Sequence, residues 1–345
     1  MDQTVIVTGA DGFIGHHFVE HLLVTRPSWR QHLICSFSHG GVAERLTRAP
    51  RIAQALAAGQ VEVHVADLTR PLSRQLVQRV VGSDVIVNFA SRSHVDTSLA
   101  EPAAFFRDNV DIALNVLELA RALEPGLVVQ ISTDEVYGPA AAGTRHVEWD
   151  PIVPSNPYAA SKAAQEAAAA AWWRAYDVPV LITNTMNNIG ERQAAEKFVP
   201  MIIRRVQRGE VVPIHAVRDG DQWIVGSRHY LHARNHADAV LFLIDHFAGN
   251  VPSYRYAKSE KPLRFHIAGE HEIDNLTLAQ HVAEAVGKPL VHELHDAHSA
   301  RPGHDLRYAL DASALAELGW RAPVDLWQSL ARTVRWTLAN PEWLD

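Results

Sequence analysis

Thr4-Val5-Ile6-Val7-Thr8-Gly9-Ala10-Asp11-Gly12-Phe13-Ile14-Gly15 begins as an apolar run and then spaces glycines every third residue. A short Val/Ile run that stops at glycine reads as a buried strand, and the segment beyond Gly12 reads as a helix. The glycines therefore occupy a strand-to-helix turn. Gly9 permits the tight bend, Gly12 removes a side chain where a pyrophosphate would approach, and Gly15 lets the helix pack on the strand. The first helical amides would face the phosphates. Asp11, Phe13 and Ile14 complete the candidate cofactor turn.

Outward from this turn the pattern repeats. Candidate strands at 4–8, 32–37, 61–66, 84–90, 127–132 and 179–185 alternate with candidate helices at 13–25, 42–57, 71–81, 101–122 and 158–176. The strands are nearly continuous in Val, Ile, Leu and Ala, as expected where helices cover both faces of a sheet. The fold class is thus α/β with a doubly wound parallel sheet, and a ligand belongs beyond the strand C-termini. After residue 186 the alternation weakens. Helices are expected at Phe198–Arg208, Asn235–His246, Leu276–Val286 and Val324–Ala339, and a strand at Arg264–Ala268. The expected division is a sheet domain of 1–185 plus 231–265 and a smaller α/β lobe of 186–230 plus 266–345.

The 345 residues are 47% hydrophobic and 21% charged with a net charge of −7, values of a globular chain with no basic footprint for nucleic acid. Cys35 is the one cysteine, so no internal disulfide forms. The strand at Thr4 leaves no room for a secretory signal, and no apolar run reaches the roughly 20 residues of a membrane span. A cytoplasmic, small-molecule enzyme is the expectation. The 20 histidines are dispersed, no His-Glu-x-x-His or Cys/His cluster appears, and no metal is expected.

Two further stretches fall at strand ends. Tyr158-Ala159-Ala160-Ser161-Lys162 sets Tyr158 and Lys162 four apart, on one face of a helix that Asn156-Pro157 would start. A lysine ammonium there favours the phenolate of Tyr158 and can hold a cofactor ribose, which suits proton transfer from a hydroxyl. Ser132-Thr133-Asp134-Glu135-Val136-Tyr137-Gly138 adds two neighbouring carboxylates that plain alcohol oxidation does not need. Adjacent strand residues point to opposite faces, so both acids serve one substrate only if the chain leaves strand geometry there.

These motifs, Thr-Gly-x-x-Gly-Phe-Ile-Gly, Ser-Thr-Asp-Glu-Val-Tyr-Gly and Tyr-x-x-Ser-Lys, resemble the extended short-chain dehydrogenase/reductases with their Rossmann sheet. Within them the chain resembles the nucleotide-sugar 4,6-dehydratases of the dTDP-glucose 4,6-dehydratase type. Val87-Asn88-Phe89-Ala90, Ser93-His94-Val95-Asp96, Asn187-Asn188-Ile189-Gly190, Glu196–Pro200, Arg301–Asp305 and Gly319-Trp320 fall where that family has similar segments.

The resemblance implies NAD as cofactor, and oxidation at C4 of a nucleotide-linked hexose with Tyr158 and Lys162. It further implies removal of the C5 proton by Glu135, protonation of the departing C6 hydroxyl by Asp134, and return of the hydride to C6. The product would be a 4-keto-6-deoxy sugar nucleotide. Thr133 would hydrogen-bond the sugar near C4. Ser36, Asp67, Leu68 and Ala90 would border the cofactor. Ser93, His94, Asn187, Lys197, Arg228, Asn275, Arg301 and His304 would hold the substrate, with arginine suited to a diphosphate by its planar fork. The resemblance also implies a homodimer, and Ala113, Leu117, Ala167 and Trp172 on helices 101–122 and 158–176 are candidate contacts.

Several positions depart from the family pattern. Ser36 stands where an acid usually binds the ribose, so NADP stays open, with Arg45 or Arg48 as its partner. Arg92 replaces a common Glu, Ile189 a Tyr, and 216–226 is longer than usual. The nucleotide base remains open among dTDP, UDP, GDP and CDP. The competing readings are an epimerase or decarboxylase of the same superfamily, which seldom carries the Asp-Glu pair, and a non-catalytic cofactor-sensing scaffold.

Overall fold

The computed structural model describes residues 2–38, 41–250, 260–296 and 305–344. Thr4–Thr8 (β1) passes through the glycine turn into Phe13–Thr25 (α1) and then Arg30–Cys35 (β2). Glu44–Thr47 (α2) and Pro50–Ala57 (α3) lead to Val61–Val65 (β3), Arg74–Arg79 (α4) and Val85–Asn88 (β4). Val95–Ala100 (α5) and Pro102–Leu123 (α6) precede Leu127–Thr133 (β5), and Pro157–Tyr176 (α7) precedes Val180–Thr185 (β6). The single helix expected over 42–57 is two, because Pro50 has no amide to continue α2 and instead occupies the first turn of α3.

The second half holds Asn188–Ile189 (β7), Phe198–Arg208 (α8), Val212–Asp219 (β8), Gln222–Val225 (β9), Ser227–His229 (β10), Leu231–His232 (β11) and Ala233–Phe247 (α9). Leu263–Ile267 (β12), Glu272–Asp274 (β13), Asn275–Val286 (α10), His292–Asp296 (β14), Ser313–Glu317 (α11) and Leu326–Ala339 (α12) follow. The main sheet has seven strands in the order β12-β6-β5-β4-β1-β2-β3, all parallel. Six of these strands are those expected. The seventh, β12, is the strand expected at Arg264–Ala268, begun one residue earlier, and it pairs with β6 along the whole of Leu263–Ile267.

Side chains alternate across this sheet as its period of two requires. Val5, Val7, Val85, Val87, Leu127 and Val129 enter one core with Phe18 and Leu22 of α1 and Leu243 of α9. Ile6, Ile86, Val128, Val180 and Ile182 enter the opposite core with Val116 of α6 and Trp173 of α7. A third core joins α8, α10, α12 and β8 through Ile202, Val212, Leu278 and Val334. Leu315 and Trp320, expected in the smaller lobe, belong to the first core instead, and Trp320 Nε1 donates to Asp238 Oδ1 of α9 at 2.8 Å.

The segment noted as long, 216–226, is the β8–β9 hairpin, which turns at Gly220 (φ 60°), with β14 parallel to β8 on its other side. Ala113 and Leu117, expected at a dimer face, are buried within the chain, whereas Ala167 is exposed. No helix among the described residues is long and apolar enough to cross a membrane.

Candidate active site

The glycine turn sits at the C-terminal end of β1. Gly9 has φ 64°, and a Cβ there would lie 2.8 Å from Ala90 Cα, so the chain after β4 closes directly on the turn. A Cβ on Gly15 would overlap the Gly9 carbonyl oxygen. Gly12 caps α1 without any side-chain hydrogen bond, leaving the first-turn amides, those of Phe13 and Ile14 among them, for an anion. This bare cradle fits a dinucleotide pyrophosphate. Asp11 turns inward: its Oδ2 accepts from the Phe37 amide at 2.8 Å, fixing the end of β2 beside the turn, and burial raises its pKa.

At the end of β2, Ser36 is exposed and shares a 2.7 Å hydrogen bond with Ser38. Asp67, beyond β3, is exposed and accepts from the Thr69 amide and hydroxyl at 2.9 and 2.7 Å, while the buried Leu68 receives Asn115 Nδ2 on its carbonyl at 2.9 Å. Arg45 and Arg48, the alternative partners for an NADP phosphate, are engaged elsewhere. Arg45 is buried and donates to the carbonyls of Asp11 and Arg192, each at 3.1 Å, and Arg48 pairs with Glu342 at 3.4 Å.

The chain leaves strand geometry where the acid pair begins. β5 ends at Thr133, and Asp134–Tyr137 form one turn of 3₁₀-helix. Thr133 Oγ1 accepts from the Glu135 amide at 3.4 Å and donates to Asp134 Oδ1 at 2.9 Å. Asp134 Oδ2 is buried without a hydrogen-bond partner among the described residues. Burial first, then the Glu135 charge, pushes the Asp134 carboxyl up to about 7, against the Thr133 hydrogen bond and the Arg228 charge. Glu135 is also raised by burial, but Asn156 Nδ2 donates to its Oε2 at 3.0 Å, and Arg228 and Lys197 add positive charge. Neighbouring acids thus sit in unlike surroundings.

Asn156 was legible in the sequence only as a helix start. Its Oδ1 does cap α7, accepting from the Ala159 amide at 2.8 Å, while the other end of the same amide holds Glu135. Tyr158 and Lys162 lie in the first turns of that helix. The phenol is hydrogen-bonded to Thr133, and burial together with Glu135 and Asp134 raises its pKa. Lys162 is held by acceptors on β5 and α7. Its ammonium donates to the Ile131 carbonyl at 2.8 Å and Gln165 Oε1 at 2.7 Å, and burial lowers its pKa to about 8.

Gln165 extends that contact through the sheet ends. Thr8 Oγ1 donates to Asn88 Oδ1 at 2.6 Å, Asn88 Nδ2 to Gln130 Oε1 at 2.8 Å, and Gln130 Nε2 to Gln165 Oε1 at 3.4 Å. No local motif announces this chain of amides, because its members meet only when β1, β4, β5 and α7 pack together.

Around the acid pair, Arg228 is buried, stacks 4.6 Å from the Tyr308 ring, and donates to the carbonyls of Ser227, Leu306 and Asp305 at 2.7, 2.6 and 2.7 Å. Its charge reaches both acids, as that of Lys197 reaches Glu135. Asn275 begins α10 beside Gly226, and its Oδ1 accepts from the Tyr230 hydroxyl at 2.7 Å. His94 Nε2 comes within 3.8 Å of Glu196, bridging the loops after β4 and β7, while Ser93 and Asn187 are exposed. Arg301 and His304 lie outside the described residues. Arg92 turns to α6, pairing with Asp108 at 2.8 Å and Glu101 at 3.3 Å.

Residues 5–256 match the family described as NAD dependent epimerase/dehydratase. The chain belongs to that family. Relatives in it include a dTDP-glucose 4,6-dehydratase of Streptomyces niveus, 34% identical over 98% of this chain and 94% of that protein. A dTDP-glucose 4,6-dehydratase of Actinoplanes sp. is 32% identical over 98% and 99%. Among solved structures, the dTDP-glucose 4,6-dehydratase DesIV of Streptomyces venezuelae, with NAD bound, superposes with a TM-score of 0.83 at 32% identity, covering 99% of each chain. A UDP-glucuronic acid 4-epimerase of Bacillus cereus reaches a TM-score of 0.82 at 18% identity, covering 98% of this chain and all of that one, a likeness of fold alone.

Proposed function

We propose that this protein is an NAD-dependent nucleotide-sugar 4,6-dehydratase acting on a nucleotide-linked hexose, with dTDP-glucose as the preferred substrate. The observation that carries the proposal is the turn at Asp134-Glu135, which sets two neighbouring acids in unlike surroundings beside Tyr158. Near-full-length identity of 34% and 32% to dTDP-glucose 4,6-dehydratases supports the substrate class. The bound cofactor would supply the hydride acceptor, taking hydrogen from C4 and returning it to C6.

The chain's own groups handle the protons. Tyr158, positioned by the Thr133 hydroxyl, enters the step as the phenolate, which the positive charge of Lys162 on the same helix face would favour, and then receives the proton of the C4 hydroxyl. A ketone at C4 acidifies the C5 hydrogen. Glu135, whose carboxylate form Asn156, Arg228 and Lys197 favour against the burial that raises its pKa, removes it, while Asp134, whose pKa near 7 lets it carry a proton at neutral pH, delivers that proton to the C6 hydroxyl. The hydroxyl leaves as water, which an epimerase or decarboxylase would not require, and Glu135 gives its proton back to C5 as hydride reaches C6. The part of the chain built on the third core, with α8, β8, α10 and α12, would bind the nucleotide, with Lys197, Arg228 and Asn275 toward the diphosphate and ribose. The exposed rings of Phe106 on α6 and Tyr176 on α7 support a homodimer through these helices.

Incubation with dTDP-, UDP-, GDP- and CDP-glucose, followed by detection of the keto product, tests the proposal. A 4-keto-6-deoxy product from dTDP-glucose is expected. Recovery of an epimer alone would overturn the dehydratase assignment, and turnover of another nucleotide alone would overturn the choice of base.

A further inference from the structure

Three donor side chains meet at the outer margin of the sheet, away from the acid pair. His32 lies on β2, and Glu62 and His64 lie on the edge strand β3. The register pairs His32 with Glu62 and Ile34 with His64, and residues two apart on a strand share a face, so all three side chains rise from the same side of the ribbon. Their ligand atoms all lie within 4.8 Å of one another. His32 Nδ1 is 3.0 Å from His64 Nε2, Glu62 Oε2 is 3.7 Å from His32 Nδ1, and Glu62 Oε1 is 3.9 Å from His64 Nδ1. Donors at about 2.0–2.1 Å from a tetrahedral zinc ion stand about 3.3 Å from each other, a value bracketed by the two separations from His32 Nδ1, 3.0 Å to His64 Nε2 and 3.7 Å to Glu62 Oε2.

We propose that His32, His64 and Glu62 form a binding site for a borderline-soft divalent ion, Zn²⁺, with water completing the tetrahedron. Two imidazoles and one carboxylate form a donor set suited to zinc, and a hard ion such as Mg²⁺ or Ca²⁺ would want oxygen ligands. The His64 side chain is buried at 4% exposure and that of His32 nearly so at 17%, which holds the nitrogens in place, whereas Glu62 at 51% can swing onto an arriving ion. The competitor is Arg79, 3.7 Å from Glu62 Oε1, but that pair is exposed on both sides and holds the carboxylate only weakly.

The expectation of no metal rested on local spacing, and the two histidines are 32 positions apart, joined only by strand pairing. The site lies four strand positions from β5, about 19 Å at about 4.8 Å per strand, so the ion would clamp the edge strand and take no part in the chemistry.

The test titrates the metal-free full chain with Zn²⁺ against a chromophoric chelator, with Co²⁺ as a spectroscopic substitute. One tight equivalent per chain is expected, together with a higher melting temperature and the visible bands of tetrahedral Co²⁺. Affinity should fall at least about tenfold in Glu62→Gln and about a hundredfold in His64→Gln, since even outer partners of a metal ligand are worth 10- to 100-fold. Glu62 is exposed, so its variant tests the site without burdening the fold, and NAD⁺ binding reports that each variant is folded. A titration with no tight equivalent overturns the proposal. So does undiminished binding in both variants, which would assign the ion to other histidines.

Discussion

Replacing Asp134 by Asn should make the protein more stable while abolishing turnover, and the gain should appear and vanish with pH. The carboxyl is 5% exposed, has one oxygen without a partner among the described residues, and is pushed from 3.8 to about 7. At about 1.4 kcal/mol per pH unit, the folded state penalises the ionised carboxylate by about 4 kcal/mol. Because the folded pKa is raised, the folded chain holds a proton that the unfolded chain releases between about pH 4 and pH 7. Stability therefore falls as pH rises through that window, and the deficit is fully present above the folded pKa.

The introduced amide would keep an oxygen for the Thr133 hydroxyl and carries no charge at any pH. Urea unfolding of the wild type and Asp134→Asn should differ by about 4 kcal/mol in favour of the variant at pH 8 and by less than about 1 kcal/mol at pH 4. In the same preparation, elimination should stop while exchange of the C5 hydrogen with solvent persists. A variant less stable at pH 8, or a difference independent of pH, would refute the reasoning that the acid is held protonated at a cost to the fold.

Asn156→Ala removes both the cap of α7 and the donor to Glu135, so it should lower stability by about 1 kcal/mol in urea. It should also raise the Glu135 pKa, moving the acidic limb of a kcat/KM profile to higher pH. Gly15→Ala would drive a methyl group into the Gly9 carbonyl. A loss of about 1–3 kcal/mol in unfolding experiments is expected, with less NAD⁺ recovered from the denatured protein. Arg264 Nη2 pairs with Glu166 Oε2 at 2.8 Å with both side chains almost fully buried, so Arg264→Met should cost about 3–5 kcal/mol by stranding the carboxylate. Gln165→Leu takes an acceptor from the Lys162 ammonium and should lower its pKa below the present value of about 8, seen as an earlier alkaline fall in kcat.

Local chemistry was strong enough to place β1, α1 and α8 at their observed bounds, because glycine, proline and apolar period leave those segments few alternatives. The break at Asp134 was also legible, since two adjacent acids cannot share one substrate from a regular strand. The β8–β9 hairpin was not, although Asp219-Gly220 between short apolar runs is a turn signal that could have found it. Arg92 and Arg45 show the limit of reading charge from position. Arg45 was open to a cofactor phosphate and Arg92 stood out only as a departure from the family pattern, and each is held by partners brought from elsewhere in the fold. The same limit hid Gln165, Asn88 and the second duty of Asn156, whose partners are distant in sequence.

The amide chain from Thr8 to Lys162 has a bearing on how this enzyme is born. A buried ammonium tolerates dehydration only once its acceptors are in place, and those acceptors depend on neighbours from the first, fourth and fifth strands. The Lys162 contacts are therefore assembled in a single event with the sheet that surrounds them. A nascent or nicked chain missing any of these strands has no half-working centre, so recovered turnover after refolding counts closed sheets.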